Sequence, residues 1–139
     1  MRSENIQKSI YITEQDLENL ILLLDIYILR NNDQEDHIEK LINNLDKANI
    51  IDEELVTDEL VIINSRVSVT DLDSKKRLTF DLLSSEVADL ADGNLSVLAP
   101  MGAAVLGCRT GDIIELSILK RNKRFKIEGV LHKRQNTII

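Results

Sequence analysis

Residues 94–112 read NLSVLAPMGAAVLGCRTGD, and most of the fold follows from them. Leu95, Val97 and Leu98 around Ser96 suit a short buried strand. Pro100 suits the first turn of a helix, where its missing N–H would have had no intrahelical partner. Met101, Ala104, Val105 and Cys108 then recur at helical spacing and give that helix one apolar face. Gly107 stands where a helix stops, and Gly111 with Asp112 turns the chain into a strand over residues 113–119. A short helix between two strands, in an otherwise β-patterned region, must plug a sheet.

The flanking sequence supplies that sheet. Val61, Ile63, Val67 and Val69 pattern a strand over residues 60–70, with Arg66 and Ser68 among its polar positions. Residues 71–74 (DLDS) are rich in side chains that bond their own backbone, so they form a turn. The return strand spans 78–83 and is entered through Lys75, Lys76 and Arg77. A short turn is expected at 87–90 and a loop at 91–94. A last strand covers 124–131, where Gly129 marks a bulge or a close contact, and a polar, loose tail follows from 132. The expected class is α+β, an antiparallel sheet with one packed helix covering one face.

The amino-terminal part is helical. Thr13 is a good N-cap, with Glu14 and Asp16 in the first turn. Leu17, Leu20, Ile21, Leu24 and Ile28 form one apolar stripe, and Leu22, Leu23, Ile26, Tyr27 and Leu29 form a second face. A turn near 31–33 leads to a second helix over 33–49, with the single narrower stripe Ile38, Leu41, Ile42, Leu45 and Ala48. The pair reads as a short antiparallel helical hairpin of coiled-coil type. One narrow stripe cannot cover two faces. The surplus is expected to pack on the β-region of a monomer, with a homodimer through the first helix as the alternative. The division is residues 1–55 for the hairpin and 56–139 for the β-domain.

Composition limits the function. The net charge is −7, but 14 acidic and 5 basic residues fall through position 58, against 10 and 12 beyond it. The front half repels nucleic acid, and the back half is too weakly basic to be a nucleic-acid domain. No apolar run approaches the roughly 20 residues of a membrane span, and no secretory signal is evident. One cysteine allows no internal disulfide, so a cytoplasmic location is expected.

Catalytic patterns are missing too. The glycines around 102–111 lack P-loop spacing, and His37 and His132 have no cysteine partner for zinc. No histidine is placed to activate Ser65. No enzyme activity, metal or cofactor is therefore expected. The basic run at 120–126 reads as a hairpin turn with charges that blunt a strand end, or as a dock for an acidic surface.

The chain resembles the C-terminal domain of the bacterial Gre transcription-cleavage factors, and more closely the regulator of nucleoside diphosphate kinase (Rnk) family. The matching residues are Asn64 to Val67, Glu86 to Asp89, Ser96 to Pro100, Gly102 to Ala104, Leu106-Gly107 and Gly111-Asp112. Glu14, Asp16-Leu17, Leu20, Leu24 and Leu45 to Ala48 extend the Rnk-like match into the amino-terminal part. The resemblance implies an FKBP-like β-domain that docks on bacterial RNA polymerase at the rim of its secondary channel. It points to the loop before the helix, so Leu98, Pro100 and Met101 are the expected contact, framed by Arg66 and by an acidic hairpin tip of Asp33, Glu35 and Asp36. Leu98 and Ala99 depart from the acidic or hydroxyl residues of Gre factors.

In Gre factors the tip acids help hold a catalytic Mg²⁺. Here a helix of about 17 residues reaches only about 26 Å, short of a Gre arm. The expectation is a non-catalytic regulator of the polymerase. The alternatives are regulation of nucleoside diphosphate kinase away from the polymerase, and Gre-like stimulation of cleavage. An FKBP-type prolyl isomerase is not expected, because Phe80 and Phe125 are the domain's only aromatics.

Overall fold

A computed structural model describes residues 9–31, 35–86 and 92–133. The elements in order are β1 (Tyr11–Thr13), α1 (Glu14–Arg30), α2 (Asp36–Asp46), β2 (Asn49–Ile51), a 3₁₀ turn (Glu53–Leu55), β3 (Ser65–Asp71), β4 (Arg77–Leu83), β5 (Asn94–Ser96), α3 (Pro100–Val105), β6 (Ile113–Ile118) and β7 (Arg121–His132). The turn expected at 87–90, Asp33 of the acidic tip, and the tail from 134 lie outside the described residues.

β3 to β7 form one five-stranded sheet in the order β5-β4-β3-β7-β6. The sheet is mixed, not wholly antiparallel as expected, because β5 runs parallel to β4. The reason is topological. β5 enters the sheet at Asn94 beside Asp81 and leaves it beside Leu83, so between the two strands the chain comes back toward the end where β4 began, which a tight hairpin does not do. From β5, at one edge, the chain crosses the core face through α3 and re-enters the sheet at β6, the opposite edge. The stretch 94–112 is thus the strap that closes the core.

Strand alternation sorts the two faces. Val67, Val69, Phe80, Leu82, Ile114, Leu116, Phe125 and Ile127 point inward and are buried. Arg66, Thr79, Glu115, Arg124 and Lys126 point outward to solvent. Ser68 pairs with Gly129 but Val69 with Ile127, so Glu128 is the extra residue of a bulge. The bulge adjoins Gly129, as the sequence indicated. His132, expected in the loose tail, instead ends β7, and its Nε2 lies 2.7 Å from the Leu60 carbonyl.

The β6–β7 hairpin turns through only two residues, Leu119 and Lys120, both with positive φ (53° and 65°). A type I′ turn demands this backbone, and neither side chain suits it. Leu119→Asn with Lys120→Gly is expected to stabilise the protein by about 1–2 kcal/mol in a urea titration, since each non-glycine residue is strained there.

The helical pair does not stand apart from the sheet. Thr13 caps α1 as expected, its hydroxyl accepting from the Asp16 N–H at 3.1 Å. Leu20, Leu24, Ile38 and Leu41 share one continuous core with Val67, Phe80 and Ile127. β1 and β2 pair in parallel, a two-stranded sheet not foreseen from the sequence, and tie the start of α1 to the end of α2. The α2 helix is shorter than expected, beginning at Asp36 and ending at Asp46.

The surplus face of α1 is not covered by the β-region, contrary to expectation. Ile21, Leu22, Ile26, Ile28 and Leu29 remain exposed. The sheet and α2 together reach only one side of a helix, and Leu20 and Leu24 already fill that contact.

Asp16 shows how closely α1 is docked. Its Oδ2 accepts the Ile63 N–H at 3.0 Å across the junction. Burial raises its pKa, opposed by that hydrogen bond, with Glu53 adding repulsion. Asp16→Ala should cost about 1–3 kcal/mol in thermal or urea unfolding, because the Ile63 N–H loses its acceptor. Asp16→Asn keeps an acceptor without the buried charge and should be close to neutral.

Candidate functional site: the strap before α3

The entrance to α3 is built by short-range chemistry. The Ser96 hydroxyl donates to the Ser85 carbonyl and accepts from the Leu98 N–H at 2.9 Å. The Ala99 N–H returns to the Ser96 carbonyl at 3.0 Å, and Ala103 N–H to the Ala99 carbonyl at 2.8 Å. Pro100 occupies the first helical turn, as its missing donor allows. The resulting knob presents an exposed Pro100 and a half-buried Met101.

Gly102 lets this knob sit down on the strap. A Cβ added there would lie 2.1 Å from the Ser96 carbonyl oxygen and 2.9 Å from its carbon. At the other end of α3, Gly107 has φ +80°, and a Cβ would lie 2.6 Å from Cβ of Ile10. Its carbonyl accepts the Tyr11 N–H at 3.3 Å, while its N–H donates to Val61 at 3.0 Å. Both glycines are sites of close backbone approach.

The tip of the helical pair is fastened to the same place. His37 Nε2 lies 2.9 Å from the Leu98 carbonyl, and since a carbonyl only accepts, Nε2 carries the proton. His37 Nδ1 stands 3.5 Å from Glu35 Oε1. Arg30 at the end of α1 pairs with Glu86 at 3.0 Å. The α2 helix packs along α3, its start at the α3 entrance and β2, through Ile10 and Tyr11, at the α3 exit. The pair therefore lies along the domain and is held at both ends.

The structure gathers some of the expected site residues and separates others. Pro100 and Met101 are together and accessible. Leu98 is only 6% exposed, and its carbonyl is engaged by His37, so its side chain is core. Glu35 and Asp36 lie beside the strap through His37, with Glu35 the N-cap residue of α2. Arg66 is on the outer sheet face, away from α3. Its guanidinium holds Asp81 at 2.8 and 3.4 Å, and Lys133 adds a third contact at 2.8 Å. Arg66 first, then Lys133, holds the Asp81 carboxyl below its usual range. In the sequence His37 has no cysteine partner nearby. Its role as the latch between tip and strap had no local signal, because its partner is a backbone carbonyl 61 positions away.

Basic side chains collect at the opposite end. The Leu72 N–H donates to the Arg124 carbonyl at 3.0 Å, bringing the 72–76 turn against β7. Lys123 pairs with Asp71 at 2.7 Å. That ion pair and the Asp73 N–H lower the Asp71 pKa to about 2. Among the described residues no three His, Cys, Asp or Glu side chains form a metal-holding group. Nor, among them, is any helix long and apolar enough to cross a membrane.

Comparison with known proteins agrees with this architecture. Residues 56–132 match the family described as transcription elongation factor, GreA/GreB, C-terminal. Transcription elongation factor GreA of Alkaliphilus oremlandii is 39% identical over 84 residues, 60% of this chain and 53% of that protein. GreA of Chloroherpeton thalassium is 34% identical over 96 residues, 69% of this chain and 61% of that protein. The chain thus spans between about half and two thirds of the length of such relatives. A prokaryotic transcription elongation factor GreA/GreB from Nitrosomonas europaea superposes with a TM-score of 0.71 at 27% identity, covering 91% of this chain and all of that one. The mixed α+β fold is shared with it. With its sheet, strap and α3 all inside the matched region, the chain belongs to the GreA/GreB family of transcription elongation factors.

Proposed function

We propose that this protein is a non-catalytic regulator that docks on bacterial RNA polymerase at the secondary-channel rim through Pro100 and Met101, in the manner of the Rnk branch. The observation that carries this reading is the tethered tip. Arg30 to Glu86 and His37 to Leu98 hold Glu35 and Asp36 against the β-domain. An α1 of 17 residues and an α2 of 11 packed against α3 make a short arm, and its described tip acids, Glu35 and Asp36, stay beside the strap. The FKBP-like β-domain anchors the protein at the rim, and the short helical hairpin obstructs the entrance without reaching the catalytic metal. The cytoplasm, where the polymerase works, is the corresponding location.

The test is binding of the purified chain to core RNA polymerase, with a GreA protein as competitor. Displacement by GreA is expected, with at least a roughly tenfold loss of affinity for Pro100→Ala plus Met101→Glu, equivalent to about 1.4 kcal/mol. A folded double variant that binds undiminished would sink the assignment of the knob. Glu35→Lys with Asp36→Lys separates the alternatives. It should weaken a channel-blocking effect in part, abolish transcript cleavage if that were the activity, and leave a polymerase-independent effect on nucleoside diphosphate kinase untouched.

A further inference from the structure

The exposed side of α1 carries an ordered pattern. Leu22, Ile26 and Leu29 follow one another at spacings of four and three, with exposures of 64%, 45% and 83%. Continued toward the N-terminus, the same 4–3 spacing reaches Asn19 and Gln15, whose side chains meet at 3.5 Å. In heptad terms Asn19 and Ile26 take the a positions, and Gln15, Leu22 and Leu29 take d. This seam contains no charged residue. Any seam rotated toward Ile21 and Ile28 would instead bury Glu18 or Asp25.

We propose that this face of α1 is the seam of a parallel homodimer, pairing two copies of the chain through Asn19, Leu22, Ile26 and Leu29. A β-branched residue at a with leucine at d favours two strands, and a single asparagine at a fixes register in parallel dimers. The charges agree. Asp25 falls at g and Arg30 at the following e, so a parallel pair sets Asp25 of each copy opposite Arg30 of the other. Arg30 is 69% exposed beyond its contact with Glu86, and a guanidinium has five donors to share. An antiparallel pair would bring Asp25 toward Glu18 of the other copy, like against like.

Area and order support the same occupant. Leu22, Ile26 and Leu29 present on the order of 350 Å² of apolar surface, within the range of the largest patch on a typical monomer, which is often functional. With the flanking side chains, two copies approach the ~1,000 Å² of the smallest specific interfaces. The seam is short, but α1 is already held helical by the core on its other side, so association need not order it. The core residues Leu20 and Leu24 face away from the seam, which leaves the two β-domains on opposite sides of the helix pair.

Sedimentation equilibrium on the full chain tests the proposal without any polymerase. The expected result is a mass that rises with concentration toward twice 15.8 kDa. Leu22→Glu with Leu29→Glu should hold the mass at 15.8 kDa while leaving the circular dichroism and urea midpoint close to wild type, since both side chains are exposed in the single chain. Asp25→Arg fixes the direction: it should weaken a parallel dimer several-fold by facing Arg30, whereas an antiparallel dimer would tighten. A wild-type protein that stays at 15.8 kDa up to about 100 µM, a dimer indifferent to the double glutamate variant, or one tightened by Asp25→Arg would each overturn the proposal.

Discussion

Gly102→Ala is expected to destabilise the protein by about 3 kcal/mol or more, despite the ~1 kcal/mol that alanine gains over glycine in a helix. The added Cβ would stand 2.1 Å from the Ser96 carbonyl oxygen, and its neighbours there are backbone atoms that no rotamer change can move. Relief requires α3 to lift from the strap or the 96–97 turn to open. Either movement breaks the hydrogen bonds of Ser96 with Leu98 and Ala99. Urea titration reads the loss directly. Gly129→Ala provides the contrast, since nothing lies within 4 Å of a Cβ there and the expected change is within about 0.5 kcal/mol. Near-equal midpoints for the two variants would mean that α3 is not seated as described. Under the proposed docking through Pro100 and Met101, which ride on the first turn of α3, Gly102→Ala should also lower polymerase affinity under conditions where the chain remains folded.

Leu20→Ala carries the second large effect, about 2–5 kcal/mol. Leu20 is fully buried on α1, and the core cluster it belongs to includes sheet residues as well as residues of α2. A leucine in a free two-helix arm would keep one side in water and cost much less when truncated. The loss is a large share of the roughly 5–15 kcal/mol that a domain of this size possesses. The shape of the transition matters as much as its midpoint. Helix-sensitive ellipticity and a sheet-specific probe should fall together in wild type and variant, since one core unfolds as a unit. Separate transitions, with the sheet untouched by Leu20→Ala, would show the helical pair to be an independent arm and would remove the tethered-tip argument for function.

Much of this architecture was legible before any coordinates. Thr13 as cap, Pro100 at a first turn, Gly107 at a helix end and Gly129 beside a bulge are decisions made within a few residues of backbone. Alternation along 65–71 and 77–83 separated core from solvent, because a strand's side chains take opposite faces whatever the topology. The strap 94–112 could be identified as the organising stretch because its turn residues and its apolar spacing agree. The resemblance to the Gre C-terminal domain rests in part on matching residues of the same stretch, and the family match over 56–132 bears out that coarser resemblance, while the narrower Rnk assignment stays a proposal.

The candidate site was only half visible. Pro100 and Met101 project because local geometry makes them project. Leu98 reads as a contact in one dimension and is core in three, since α2 lies over it and His37 takes its carbonyl. Arg66 shares a stretch with residues that face the core, but the pleat turns it outward onto Asp81.

The sequence by itself determined the main helices and the five strands of the larger sheet, the Thr13 cap, the α+β class and the presence of more apolar surface on α1 than its neighbour could cover. Each of these depends on short-range sterics, hydrogen bonding and periodicity. Tertiary structure alone decided the direction of β5, the parallel β1–β2 pair, the tethering of the helical tip and which side of α1 stays in water. These depend on contacts between positions far apart in the chain, 61 residues in the case of His37 and Leu98. Such contacts are settled by which packing buries the most apolar area at the least cost in chain ordering, a comparison among whole arrangements that no local stretch encodes.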